Sequence, residues 1–389
     1  MKQLKPSATG VINAQADRMR KSGIHVFNFA AGDPILPNHP AILEAANRAI
    51  QEGISPYAPI AGLTELRTLA ADWMNRRYQA QYDISQTIVT CGGKFGIYAA
   101  LQILLEPGDE VLIPAPYWVS YPEMVRLGTG VPKVILTSPS SHWKLTPQSL
   151  KTHLTKKSKV LILNNACNPT GALYTRKEIA ELLLVTKEAD LTVISDEVYS
   201  ELVFDNAEFV SCSSFPEHRS RVIVIESCSK NFGMAGWRVG FAFGPKEIIT
   251  NMIALQSQST TGTSLISQKA AIGALLHADA VSTYVREAMD LRRKLFFKTF
   301  NRLFSTKIVP APSSLYFFAK IGENSVKLCE QILDKSRVAL VPGIGFGMEG
   351  YARFAFTEKE DEIVKGLEAL LNLFRMNARD SCFNALLKE

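Results

Sequence analysis

Val222-Ile223-Val224-Ile225, followed by Ser227-Cys228-Ser229-Lys230-Asn231-Phe232-Gly233-Met234-Ala235-Gly236-Trp237-Arg238, is the stretch on which the reading of this chain turns. Four consecutive β-branched residues without polar alternation predict a strand buried on both faces. A lysine leaving the end of such a strand, flanked by hydroxyls and followed by an arginine, suits a ligand carrying both an aldehyde and a phosphate. The amine can form a Schiff base with the aldehyde. Ser227, Ser229 and Arg238 can clamp the phosphate, the guanidinium with two parallel charge-assisted bonds. Pyridoxal 5'-phosphate is such a cofactor. A lone lysine is ordinarily a solvated surface charge, so the reading depends on what else the chain gathers around Lys230.

Outward from that stretch, similar apolar runs recur: Thr87-Ile88-Val89-Thr90, Val111-Leu112-Ile113, Val160-Leu161-Ile162-Leu163, Thr192-Val193-Ile194 and Val239-Gly240-Phe241-Ala242-Phe243. Helical patterns separate them. Lys177 to Leu184 is one, and Ala41 to Gln51 is another, with Ile42, Ala45, Ala46, Ala49 and Ile50 on one face. The fold class is therefore α/β, a mainly parallel sheet sandwiched by helices. Polar residues cluster just after the runs: Gly92-Gly93-Lys94, Tyr117-Trp118, Asn168, Asp196 with Tyr199, and Ser227 to Lys230. Ligands of open α/β sheets bind beyond the carboxyl ends of strands, so these five groups are expected to converge. Asp196, in Ser195-Asp196-Glu197-Val198-Tyr199, suits the ring nitrogen of such a cofactor, because a carboxylate favours its protonated form. Its structural alternative is a helix cap. Asn168-Pro169-Thr170-Gly171 is by itself only a turn signal. Gly92-Gly93-Lys94 is expected to open a helix whose amides and dipole favour a phosphate. Lys94 opposes that dipole and calls for an anion, either the phosphate or a substrate carboxylate, unless it is solvated.

Beyond about residue 283 the pattern changes. Amphipathic helices (Val285 to Thr299, Ser325 to Lys335, Glu358 to Phe374) alternate with short runs at Tyr316-Phe317-Phe318-Ala319 and Arg353-Phe354-Ala355-Phe356. At 389 residues the chain exceeds a usual single domain. The expected division is a large cofactor-binding domain at 38–283 and a smaller α+β domain built from 1–37 and 284–389. Apolar content of 47% with 21% charged residues fits a chain that buries a large core in water. The net charge of +6 is dispersed; its densest clusters, Lys156-Lys157 with Lys159 and Arg292-Arg293-Lys294, are short and lack interleaved aromatics, which argues against nucleic acid. A mild positive balance favours anionic substrates. The six cysteines are scattered, with neither paired nor metal-type spacing, so free thiols and no metal are expected. Met1 to Gly10 shows no secretory pattern, and no apolar run reaches the roughly 18–20 residues of a membrane span. A soluble cytoplasmic protein is expected, and the tail from Asn377 to Glu389 has no assigned partner.

Ser227 to Arg238 also resembles, almost residue for residue, the lysine signature Ser-x-Ser-Lys-x-Phe-x-Met-x-Gly-Trp-Arg of the class I, fold-type I pyridoxal-phosphate aminotransferases. The resemblance runs from about Pro6 to Arg375 and is closest to the branch containing bacterial aspartate aminotransferases. It implies that Lys230 is the Schiff-base and proton-shuttling lysine. Asp196 then faces the pyridine nitrogen, Tyr199 and Asn168 bind the phenolic oxygen, and Trp118 stacks on the ring. Gly92, Gly93, Lys94, Ser227, Ser229 and Arg238 complete the cofactor site, with Tyr57 reaching the phosphate of a neighbouring subunit. Arg353 forks the substrate α-carboxylate, Gly32 lies in the segment that closes over substrate, and Lys94 meets a distal carboxylate. Gln256 to Gly262 is similar to the loop that enters the partner's site, which implies a homodimer with shared sites. The implied reaction moves an amino group between an L-amino acid and a 2-oxo acid, aspartate with 2-oxoglutarate. The alternative is an aromatic or prephenate-type enzyme with glutamate or aspartate as donor. Two departures stand out. Tyr121 occupies a place where many relatives carry a His that supports the aspartate. Pro312-Ser313-Ser314-Leu315-Tyr316-Phe317 replaces the usual Pro-x-Gly-Ala-Phe-Tyr, and Ser314 and Leu315 are expected to reshape the substrate pocket.

Overall fold

Twelve strands organise the described residues: β1 (Phe27–Asn28), β2 (Thr87–Thr90), β3 (Glu110–Ala115), β4 (Val131–Leu136), β5 (Ser158–Asn164), β6 (Thr192–Asp196), β7 (Val222–Ser227), β8 (Gly240–Phe243), β9 (Tyr316–Lys320), β10 (Val338–Ala339), β11 (Val341–Pro342) and β12 (Tyr351–Ala355). They come from a computed structural model that describes Leu4, residues 7–53 and residues 56–376; the tail from Asn377, with Cys382, lies outside the described residues. Seven strands form one sheet in the order β2-β8-β7-β6-β5-β3-β4.

The unbroken apolar runs are explained by two helical layers. Along β7, Val222 and Val224 join one core while Ile223 and Ile225 join the other. The same alternation places Leu161 and Leu163 of β5 in the first core and Val160 and Ile162 in the second. Helices Pro40–Gln51, Thr64–Tyr78, Arg176–Glu188 and Leu265–Leu276 cover the first face with Ile42, Leu66, Ile179 and Ala270. Helices Gly93–Leu104, Tyr121–Leu127 and Lys246–Ser257 cover the other with Ile97, Val125 and Ile249. Each Val or Ile so buried contributes about 1.5–3 kcal/mol. Thr175 starts helix Arg176–Glu188 with a reciprocal capping box: the Glu178 amide donates to Thr175 at 3.3 Å and the Thr175 amide to Glu178 at 2.7 Å.

Strand direction sets the site. β3, β4, β5, β6 and β7 are parallel, whereas β8 is antiparallel to both of its neighbours, β7 and β2. Two reversals restore the direction, so β2 runs the same way as β7. The carboxyl ends of β2, β3, β5, β6 and β7 therefore share one edge, and β8 begins there.

Two sequence expectations need amendment. β4 has no counterpart among the predicted runs because it is an edge strand containing Pro132, with Val131 and Leu136 exposed. Ile50, placed on the apolar face of its helix, is 58% exposed, whereas Ile42, Ala46 and Ala49 are buried.

After residue 304 the chain builds the antiparallel sheet β11-β12-β9, with Arg353 opposite Phe318, while β1 pairs with β10 in parallel. Phe296, Phe300, Phe304, Phe354 and Phe356 dominate its core. Helix Ala278–Phe304 spans both cores, with Val281 in the first and Val285 and Phe296 in the second. Helix Ala8–Lys21, capped by Ser7, lays Ile12 and Ala16 against Val341 and Phe346. No described helix is long and apolar enough to cross a membrane.

Candidate active site

The shared strand edge holds a cavity of about 280 Å³. Lys94, Lys230, Arg238 and Arg353 line it, against the carboxylates Asp33 and Asp196. The excess of cations favours an anionic ligand.

At the end of β7 the chain turns into the one-turn helix Cys228–Asn231, with Ser227 as its cap. The Ser229 amide donates to Ser227 Oγ at 3.1 Å, and the two hydroxyls lie 2.9 Å apart. This turn delivers Lys230, whose Nζ donates to the Gly32 carbonyl at 2.9 Å and pairs with Asp33. The Lys230 charge, opposed by burial, holds the Asp33 carboxyl below its ordinary range.

Asp196 closes β6 and is buried. Burial pushes its carboxyl up to about 6, against the pull of hydrogen bonds from the Tyr121 hydroxyl and the Val198 amide. Tyr121 thus supplies a phenolic donor where many relatives use His. A buried carboxylate with so little compensation is a socket for a cationic N–H.

Beyond β5, Asn164 ties the site together. Its Oδ1 accepts from the Asn168 amide at 2.8 Å, and its Nδ2 donates to the Asp196 carbonyl at 2.9 Å. Asn168 Oδ1 in turn accepts from Arg353 Nη1 at 3.0 Å. Arg353, on β12, also donates from Nη2 to the Ala30 carbonyl at 2.6 Å, while its buried Nε has no partner. Its guanidinium lies over the rings of Tyr316 and Phe346, 4.3 and 5.2 Å from their centroids. The Tyr199 hydroxyl pairs with that of Tyr316 at 2.7 Å.

At the end of β2, helix Gly93–Leu104 starts without a side-chain cap, because Gly92 has none to offer, and the amides of Gly93 and Lys94 have no acceptor within the helix. Gly92 has φ 84°, and a Cβ there would run into the Arg238 guanidinium. Arg238 itself is left-handed (φ 57°) at the start of β8 and donates to the carbonyls of Ala235 at 3.0 Å and Cys91 at 3.3 Å. Lys94 Nζ lies 4.9 Å from the centroid of the Trp118 ring. Burial, then the charge of Arg238, pulls the pKa of Lys94 down, so an anion beside it is the natural remedy.

Of the residues singled out from sequence, Gly32, Gly93, Lys94, Trp118, Asn168, Asp196, Tyr199, Ser227, Ser229, Lys230, Arg238 and Arg353 line the one cavity. Gly92 stands behind Arg238, outside the lining. Tyr57 is 89% exposed and does not line this chain's own cavity. Two expectations are corrected. Gln256 does not belong to a projecting loop: it ends a helix, is buried, and donates to Val89 and Ile60 carbonyls at 2.9 and 2.6 Å, so the exposed turn starts after Ser257. Ser314 and Leu315 do not face the cavity; both are fully buried, and it is Tyr316 that lines it. Missed from sequence were Thr9 and Asn13 on the first helix, Asp33, and Asn164. Asp33 and Asn164 adjoin motifs that were read, but Thr9 and Asn13 come from a segment with no strand-end signal.

Residues 24–370 match the family model described as aminotransferase class I and II. The chain is 35% identical over 373 residues to a probable aspartate/prephenate aminotransferase of Thermus aquaticus, covering 95% of this chain and 96% of that protein. It is 37% identical to a bifunctional aspartate aminotransferase and glutamate/aspartate-prephenate aminotransferase of Petunia hybrida, covering 94% of this chain and 80% of that one. Among solved structures it resembles the aspartate aminotransferase from Thermus thermophilus with maleate, with a TM-score of 0.91 and 35% identity over 95% of this chain and 97% of the other.

Proposed function

Because this chain belongs to the class I and II aminotransferases, with their fold and their amino-group transfer, we propose that it works with pyridoxal 5'-phosphate held at Lys230 and prefers aspartate with 2-oxoglutarate. The residues present fit that cofactor. Asp196, buried and pushed up to about 6, suits a cationic ring nitrogen. The open amides at Gly93, the hydroxyls of Ser227 and Ser229 and the Arg238 guanidinium suit a phosphate. Trp118 offers a ring face, and Asn168 and Tyr199 offer polar groups for the phenolic oxygen.

When bound, the cofactor supplies an electrophilic carbon for the amino group and a ring that accepts the electron pair left at Cα. The protein does the rest. Arg353 orients the amino acid by its α-carboxylate, and Lys94 takes a distal one. Lys230 Nζ, once free of Asp33, would take the proton from Cα and pass it to the C4' carbon of the cofactor, and the reverse transfer would serve the second half of the cycle. The observation that carries the reading is the meeting of the Lys230 amine and the buried Asp196 carboxyl in one cavity with two arginines. The test is reconstitution with pyridoxal phosphate, borohydride reduction and peptide mapping. A label on Lys230 is expected, and a label elsewhere refutes the assignment.

Aspartate is favoured by Lys94 and by the activities for which both relatives are named, which also support the second reading, a prephenate-type or aromatic aminotransferase. A substrate panel separates them: phenylalanine ahead of aspartate by about tenfold in kcat/KM, or about 1.4 kcal/mol, overturns the preference. We further propose a homodimer in which Tyr57 completes the neighbour's site. Exposed Tyr57, with Ile50 and Leu276 59% exposed on adjacent packed helices, supports it. A monomer in sedimentation analysis would refute it. The division at residue 283 is supported by the helix that passes from one core to the other between Val281 and Val285. The unpaired thiols of Cys91, Cys167, Cys212, Cys228 and Cys329 support a reducing, cytoplasmic setting.

A further inference from the structure

Tyr316 lines the cavity, and its hydroxyl has no part in the reading above. It is almost fully buried on β9. Three expected site residues meet it. Its hydroxyl lies 2.7 Å from that of Tyr199, with the two rings edge to face at 5.8 Å. Its ring carries the Arg353 guanidinium at 4.3 Å, and the Phe346 ring lies 5.2 Å from the same group. Its hydroxyl end also packs on Gly32, where any Cβ would overlap it.

Two phenols in contact place one hydrogen between their oxygens and leave the other free. If Tyr316 donates, Tyr199 is polarised and becomes the stronger donor toward the cavity. The ring acts differently: a guanidinium in contact with aromatic faces is restrained in orientation, and that orientation decides whether a carboxylate can be forked. We propose that Tyr316 is a positioning residue of this site, its hydroxyl directing the proton of Tyr199 and its ring fixing Arg353. One side chain thereby couples the grip on the cofactor oxygen to the grip on the substrate α-carboxylate. This rests on the cofactor reading above.

The test separates hydroxyl from ring. Tyr316→Phe keeps the ring, so maleate binding to the cofactor-loaded protein stays within about twofold of wild type. The pH midpoint of the bound cofactor's absorbance change, however, moves up by about 0.3–0.7 pH unit, because a weakened Tyr199 donor stabilises the oxygen anion less. Tyr316→Leu removes the ring, and maleate affinity falls about 2- to 30-fold. In the cofactor-free protein, Tyr199→Phe and Tyr316→Phe are expected to shift thermal unfolding non-additively, since each removes the same hydrogen bond. An unmoved absorbance midpoint in Tyr316→Phe, unchanged maleate affinity in Tyr316→Leu, or additive unfolding shifts would each overturn the proposal. A wild-type protein that takes up no pyridoxal phosphate sinks the cofactor reading instead, and the cofactor-free cycle still decides the pairing.

Discussion

Replacing Asp196 by Asn should stabilise the cofactor-free protein at alkaline pH while destroying its function. The folded carboxyl keeps its proton up to about 6, whereas its ordinary value is 3.8. Between those two values the folded state binds more protons than the unfolded chain, so raising the pH favours unfolding. The loss starts near the unfolded pKa and is complete above the folded one. A gap of roughly two pH units at about 1.4 kcal/mol each makes about 3 kcal/mol. Asn carries no charge and can still accept from Tyr121, so it escapes that loss. Urea unfolding of both cofactor-free proteins from pH 4.5 to 8.5 reads the difference directly. The variant should already lead by about 1 kcal/mol at the acid end, which lies above the unfolded value, and by up to about 3 kcal/mol at the alkaline end. Buried Glu197, pushed up to about 7 mainly by burial, is common to both proteins and largely cancels. A lead that is the same at both ends would mean that Asp196 is not penalised for ionising. Adding pyridoxal phosphate should reverse the order, because only wild type then gains a cationic partner for the carboxylate.

Gly92→Ala forces a Cβ onto Arg238 at a left-handed φ and should weaken pyridoxal-phosphate binding about tenfold, read by equilibrium dialysis. Ser314→Gly should stabilise the protein by about 1–2 kcal/mol in urea unfolding, since Ser314 combines φ 63° with a buried hydroxyl lacking a partner. Asp33→Asn frees Lys230 from its ion pair, so stopped-flow capture of pyridoxal phosphate should quicken about two- to fivefold, a modest gain because Asp33 is largely exposed. Lys94→Met should raise the Kd for maleate about tenfold or more and leave cofactor retention unchanged; loss of cofactor instead would assign Lys94 to the phosphate.

Most of the sheet could be read in the sequence because six of its strands are buried on both faces, and double burial writes itself as apolar runs rich in β-branched and aromatic residues. β4 escaped for the opposite reason: at the edge it needs only one apolar face, and Pro132 is tolerated there. The convergence at strand ends was legible because parallel strands share a polarity. That β8 runs backward was not, since Val239 to Phe243 looks the same in either direction; yet the reversal is what starts β8 beside β2 and brings Arg238 over Gly92. Asp33, Asn164 and Tyr316 act through tertiary partners at separations of more than thirty residues, and no local pattern marks such contacts.

The placement of the two neighbouring cations bears on what each one holds. Arg238 enters from the start of β8 and reaches back to Cys91, so it lies with Ser227, Ser229 and the Gly93 amide on the β2-β8-β7 side of the edge. Lys94, one residue after that amide, extends toward Trp118, which follows β3. β6 and β5 separate β3 from β7 in the sheet. A phosphate satisfied by Arg238, two hydroxyls and helix amides has little need of an ammonium on the far side. Lys94, with its pKa lowered by burial and by Arg238, does need an anion, and a second carboxylate on a substrate whose first is forked by Arg353 answers that need. The preference for a dicarboxylic amino acid thus follows from where the phosphate donors are, as much as from Lys94 itself.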